Sequence, residues 1–76
     1  MVDSPLLTWG QTVRLRENPF LPERGGVLAE VSGIAPITTA EHAQRVLGGI
    51  PGLTAYLIEF GDGVSVEIIG EFLEST

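Results

Sequence analysis

Apolar and polar residues alternate at several points along the chain, and glycines and prolines separate the alternating runs. Punctuation of this kind favours several short strands over long helices. In Gln11 to Arg16, Val13 and Leu15 alternate with Arg14 and Arg16 at the period of two of a half-buried strand, which puts both arginines on one solvent face. Residues 17–26 contain two prolines and a Gly pair and read as an irregular loop, tucked down by Phe20 and Leu21. A second strand is predicted from Val27 to about Ile34, with Val27, Ala29 and Val31 on one face and Leu28, Glu30 and Ser32 on the other. Gly33 marks a bend in it or its end.

The period then changes. Thr38-Thr39-Ala40-Glu41 has the S/T-x-x-E form of a capping box, in which Thr38 and Glu41 satisfy each other's backbone amides. Ala40, Ala43, Val46 and Leu47 follow at helical spacing, and Gly48-Gly49 supplies a left-handed stop. One helix of about two to three turns follows, with His42 near its start. Beyond it, Thr54–Phe60 and Val64–Ile69 flank Gly61-Asp62-Gly63, which carries the Asp-Gly step preferred in tight hairpins. Tyr56, Ile58 and Phe60 face Val64, Val66 and Ile68 across the core side. The opposite faces, where Ala55, Leu57 and Ile69 sit among Glu59, Ser65 and Glu67, are less polar than a solvated surface needs to be. Residues 70–74 read as a short turn and terminal strand, with Phe72 or Leu73 closing one end.

These elements predict a mainly β fold: a small, strongly bent, SH3-like antiparallel barrel of about five strands with one short inserted helix. An α+β sheet with the helix packed across it is the alternative. The chain is read as a single domain, 1–76, with residues 1–8 as an N-terminal arm and 9–74 as the barrel.

Composition narrows the chemistry. A chain of 76 residues buries only about 60% of its unfolded surface, too little for a spacious enclosed site in one subunit. It has no Cys and no Lys, which removes thiol nucleophiles, Cys-ligated metals, Schiff-base chemistry and a P-loop lysine. One His makes no two-histidine metal site, and Gly61-Asp62-Gly63 offers calcium a single carboxylate where several oxygens are needed. No cofactor and no metal are expected. The net charge of −6 is unevenly placed: up to Arg45 four arginines meet five acids, whereas Val46–Thr76 carries Glu59, Asp62, Glu67, Glu71 and Glu74 with no base. Such a chain repels polyanions, which argues against nucleic acid and anionic membranes. The N-terminus lacks the pattern of a secretion signal and no apolar run approaches the roughly 20 residues of a bilayer span, so a cytoplasmic protein is expected.

Trp9-Gly10-Gln11-Thr12-Val13-Arg14-Leu15, then Pro22-Glu23-Arg24-Gly25-Gly26-Val27, an insert, Tyr56-Leu57-Ile58-Glu59-Phe60 and a closing Glu71-Phe72-Leu73-Glu74 together resemble the SH3-like domain of nitrile hydratase beta subunits. The resemblance spans most of the chain from Trp9 to Glu74 and implies an accessory role, since in those enzymes the metal and its cysteine ligands belong to the other subunit. The helical remainder of such a subunit is missing, and no catalytic residue carries over. Gly63-Val64-Ser65-Val66-Glu67-Ile68-Ile69 is similar to the S-V-Q-I-Y strand of plasmid-borne type II dihydrofolate reductases, small SH3-like proteins that build one pore in a tetramer. Glu67 and Ile69 replace the Gln and Tyr of that strand and lysine is absent, so an acidic pore would repel the same ligands.

Candidate residues follow. His42 with Glu41 and Glu59 suggests an acid/base group or weak metal site, although a lone His early in a helix is more often a surface residue. Arg14, Arg16 and Arg24 are candidate anion or carboxylate contacts, unless nearby Glu side chains pair with them. Glu59, Asp62, Glu67, Glu71 and Glu74 suit a basic protein partner. Trp9, Phe20 and Tyr56 would serve a groove for proline-rich peptides, but structural packing is expected for each. Leu6, Leu7, Leu28, Leu57 and Ile69 are expected to support self-association into a homo-oligomer. Two functions are weighed: a non-catalytic protein-interaction module acting as accessory subunit, inhibitor or immunity-type antagonist, and a small-molecule binder or enzyme with an oligomer-interface site lined by Arg14, Arg16, Tyr56 or His42. A neighbouring toxin gene, a nitrile hydratase alpha-like gene or a mobile element would separate them.

Overall fold

The β-branched runs form five strands, β1 (Thr12–Leu15), β2 (Leu28–Pro36), β3 (Thr54–Phe60), β4 (Ser65–Ile69) and β5 (Leu73–Ser75), and one helix, α1 (Ala40–Arg45), lies between β2 and β3. The structure is a computed structural model that describes residues 7–76, so Leu6 and the rest of the arm before Leu7 lie outside the described residues. All pairings are antiparallel, in the order β4-β3-β2-β1-β5. The expected mainly β class, strand number and helix position are those observed. Pairing does not pass from β5 to β4, so the sheet is open and the closed barrel is only approximated.

Alternation sets the inner face. Val13 and Leu15 of β1, Ala29 and Val31 of β2, Tyr56, Ile58 and Phe60 of β3, Ile68 of β4 and Leu73 of β5 form one buried cluster with Leu7. Strands from both ends of the sheet meet there, so the sheet bends around its own inner face. Only such bending lets a single layer of this size bury that face without a second sheet.

β2 carries the bend. Its register with β3 shifts between Val31 and Gly33, and the strand then continues to Pro36. Gly33 therefore lies at a β-bulge within the strand, not at its end. The extra residue reverses the alternation: Ala29 and Val31 are buried before it, whereas Ile34 packs against the same core after it. A Cβ on Gly33 would lie 3.0 Å from Leu57 Cβ, which is why a residue without a side chain stands there.

The helix differs from expectation in its cap and its length. Thr39, not Thr38, is the N-cap: its hydroxyl accepts from the His42 amide at 3.0 Å, and the expected Thr38–Glu41 box does not form. Ile37 is 1% exposed and its amide donates to the Leu53 carbonyl at 2.8 Å, an anchor that decides which threonine meets the first turn. The helix stops after Arg45 because the next residues join the sheet. Leu47 forms a parallel bridge to Ile68, donating to the Glu67 carbonyl at 2.9 Å and accepting from the Ile69 amide at 3.2 Å. This contact covers part of the β4 edge, an otherwise unpaired row of backbone groups. The expected Gly48-Gly49 stop is not what ends the helix, because Val46 caps it in extended backbone; Gly48, at φ +74°, turns the chain only after the Leu47 bridge, and a Cβ there would come within 3.0 Å of the Phe72 ring.

α1 lies against the outer face of β3 and β4, where Ala43, Val46 and Ile37 bury Ala55 and Ile69, flanked by Leu53 and Phe72. Half of the unusually apolar outer face is thus a second small core. Leu73, fully buried, closes the main cluster, and Phe72 touches both clusters while meeting Phe20 edge to face at 5.6 Å. No helix of the described residues is long and apolar enough to cross a membrane.

Candidate functional site

The part of the outer sheet face that α1 leaves open is the candidate site. Leu57 lies there between Gly33 of β2 and Glu67 of β4, and one step along the strands Glu30 and Glu59 stand directly opposite each other, followed outward by Ser65. Like charges facing each other directly across strands are destabilising. Among the described residues neither Glu30 nor Glu59 has an ion-pair partner. On one side of this acidic pair lies a shallow groove of about 390 Å³ lined by Trp9, Gly33, Ala35, Ala55, Leu57 and Glu67. On the other is a depression of about 370 Å³ lined by the pair itself together with Thr12, Leu28 and Gly61.

Trp9 overturns an expectation. Packing was expected for it, yet its side chain is 69% exposed. The cause is local: the Gln11 amide donates to the Thr8 carbonyl at 3.2 Å and the Gln11 side chain accepts from the Thr8 amide at 3.0 Å, closing a turn with Trp9 at its tip. The Gly10 amide then donates to the Val31 carbonyl at 2.8 Å, fixing the turn beside the bulge. The other two aromatics lie elsewhere. Tyr56 is buried at 2% exposure with its hydroxyl accepting from the Leu7 amide, and Phe20 is engaged with Phe72, so the three make no common groove.

His42 meets Glu67, not Glu41 or Glu59: Nε2 lies 3.0 Å from Glu67 Oε2. A carboxylate only accepts, so Nε2 carries the hydrogen, and the bond ties α1 to the rim of the groove. The arginines expected to contact anions all have partners within the chain. Arg24 makes a two-toothed pair with Asp62 at 2.9 and 3.4 Å and lies 4.4 Å over the Phe60 ring. Arg16 approaches Glu74 at 4.0 Å, and Arg14 donates to the Gly26 carbonyl at 3.0 Å. Arg24 holds Asp62 below the ordinary aspartate range, with help from the Val64 amide, and Asp62 in turn raises Arg24 further.

The five acids proposed for a partner do not gather. Glu59 and Glu67 share the outer face, whereas Asp62 sits at the β3–β4 turn, Glu71 in the second of two 3-10 turns, Gly70–Phe72, and Glu74 on β5. Glu30 joins the first two and was missed as a site residue, although alternation alone places it on the same face as Leu28. Of the self-association residues, Leu7 and Ile69 are 3% and 4% exposed and are consumed by the two cores. Leu28 and Leu57 remain on the outer face, separated along the sheet by the Glu30–Glu59 pair. Tyr56, buried in the monomer, is not available to line an interface pore. Among the described residues no three His, Asp or Glu side chains converge as metal ligands. What the surface offers is an exposed indole, a short apolar floor and two carboxylates, Glu30 and Glu59, without counterions among the described residues. Comparison of the chain with protein-family models, curated proteins and solved structures finds no match.

Proposed function

We propose that the chain is a non-catalytic protein-interaction module, an accessory or antagonist protein, whose docking surface is the open outer face around Trp9 and Leu57. The observation that carries this reading is the exposure of Trp9 over an apolar groove. Covering roughly 100–150 Å² of indole at about 25 cal/mol per Å² contributes on the order of 2–4 kcal/mol, so a partner gains more here than at any charged surface position. The likeness of the sequence to the SH3-like domain of nitrile hydratase beta subunits supports an accessory role in the same direction.

The test is site-specific photocrosslinking in the source cell, with a photoreactive residue placed at position 9 and, as reference, at Glu71 on the 3-10 turn. A discrete adduct with one other protein from position 9, and none from position 71, is expected. Equal labelling from both positions, or no adduct from position 9, would sink the reading.

A further inference from the structure

Resting on that docking surface, we infer that its occupant is a cationic segment of a partner protein, presenting arginine or lysine beside an apolar side chain that enters the groove between Trp9 and Leu57. Three observations specify the charge. Glu30 and Glu59 face each other next to the groove, in the adjoining depression, with no counterion among the described residues, and Glu67 is the one carboxylate in the groove wall. Three of the four arginines, Arg24, Arg16 and Arg14, are directed to Asp62, Glu74 and the Gly26 carbonyl, and among the described residues Glu67 alone of the three carboxylates has an internal partner, His42. The indole face of Trp9 is open, and an aromatic face attracts a cation through its quadrupole.

The same arrangement argues against a second copy as the occupant. A two-fold dimer places one patch against itself, so the acidic patch with Glu30, Glu59 and Glu67 of one chain would face the same acidic patch of the other. Like charges brought together in a dehydrated interface are repelled, whereas a cationic segment relieves the cross-strand repulsion already present. The groove is short, with Glu67 beside Leu57 across the β3–β4 pair and the Glu30–Glu59 pair one step along the strands, so one apolar anchor with cations next to it matches these surfaces.

Trp9 is the single tryptophan of the chain, so its fluorescence reports on this groove directly. The probes are three short blocked peptides in which leucine alternates with arginine, with serine or with glutamate. The arginine peptide is expected to shift and quench Trp9 emission with a dissociation constant roughly tenfold below that of the serine peptide, the difference given by one or two exposed charge pairs. Salt at about 0.5 M should erase most of that advantage. The double variant Glu30→Gln, Glu59→Gln should also erase it, bringing the arginine and serine peptides to the same affinity; both positions are exposed and the exchange removes a repulsion, and thermal melting of the variant checks that the fold is kept. Equal affinity for the arginine and serine peptides overturns the cationic assignment and leaves the docking groove standing. A concentration-dependent Trp9 shift without peptide, accompanied by dimer in sedimentation, overturns it in favour of a second copy. No response to any peptide, together with no adduct from position 9, removes both the inference and the docking reading.

Discussion

Asn18 is buried at 8% exposure and holds the irregular loop by both ends of its amide. Its Oδ1 accepts from the Phe20 and Leu21 amides at 3.0 and 2.6 Å, and its Nδ2 donates to the Arg16 carbonyl at 2.8 Å. Asn18→Ala leaves those backbone groups without their partner and should lower unfolding free energy by about 1–3 kcal/mol, read from urea denaturation. An unchanged midpoint would show that water replaces the side chain. Asp62 governs acid sensitivity at the same scale. Its folded pKa lies below the unfolded value, first through the Arg24 hydrogen bond and then through the Val64 amide. Such a carboxyl contributes stability that is complete above the unfolded value of about 4 and is lost as pH falls through the folded one. The stability gap between the natural chain and Asp62→Asn should therefore close as pH drops from about 4 toward 2. A gap that stays constant over that range would mean the pair contributes nothing through charge.

Elements here are chosen by neighbours as much as by their own residues. Two adjacent threonines each satisfy the rules for capping α1, and the buried Ile37 just before them selects Thr39. Thr39→Ala should cost about 1 kcal/mol, the usual range being 0.5–2, while Thr38→Ala should stay within about 0.5 kcal/mol. Thermal melts of the two variants decide the assignment, and the reverse ranking would restore the Thr38–Glu41 box. The helix also ends early for a reason outside itself, since Leu47 is taken into a bridge with Ile68 before another turn can form.

The whole molecule is organised by the long β2–β3 ladder, whose seven register pairs exceed the three that join β1 to β5. β5 is an edge strand at one end of the order and no pairing joins it to β4. Amide hydrogen exchange should be slowest in the β2–β3 pairs and fastest among strands in β5, where local opening needs little of the core to be disturbed. Uniform protection across all five strands would instead indicate an assembly that covers the β5 edge. At this scale the charge asymmetry of the chain acquires a shape as well: part of the acidity of its second half stands with Glu30 on one open face, and the rest is dispersed or paired.

Local patterns determined much of this protein. Alternation in Gln11–Arg16 and Thr54–Phe60 identified strands and their buried faces, and Gly61-Asp62-Gly63 identified the hairpin, because period and turn chemistry act over a few residues. The change of period marked the helix, although its end was set by the Leu47 bridge and not by Gly48. The rest required contacts between distant residues. Val31 and Gly33 read alike whether Gly33 ends a strand or bulges it, and only pairing with β3 decides. Ile69 and Leu57 are equivalent in sequence, yet α1 covers one and leaves the other open. Trp9 reads as core by composition and stands exposed because a backbone turn pinned to Val31 directs it outward. Sequence by itself set the elements and the amount of charge; the tertiary structure decided which face is left uncovered and which carboxylates share it, because burial and pairing belong to residues brought together from distant parts of the chain.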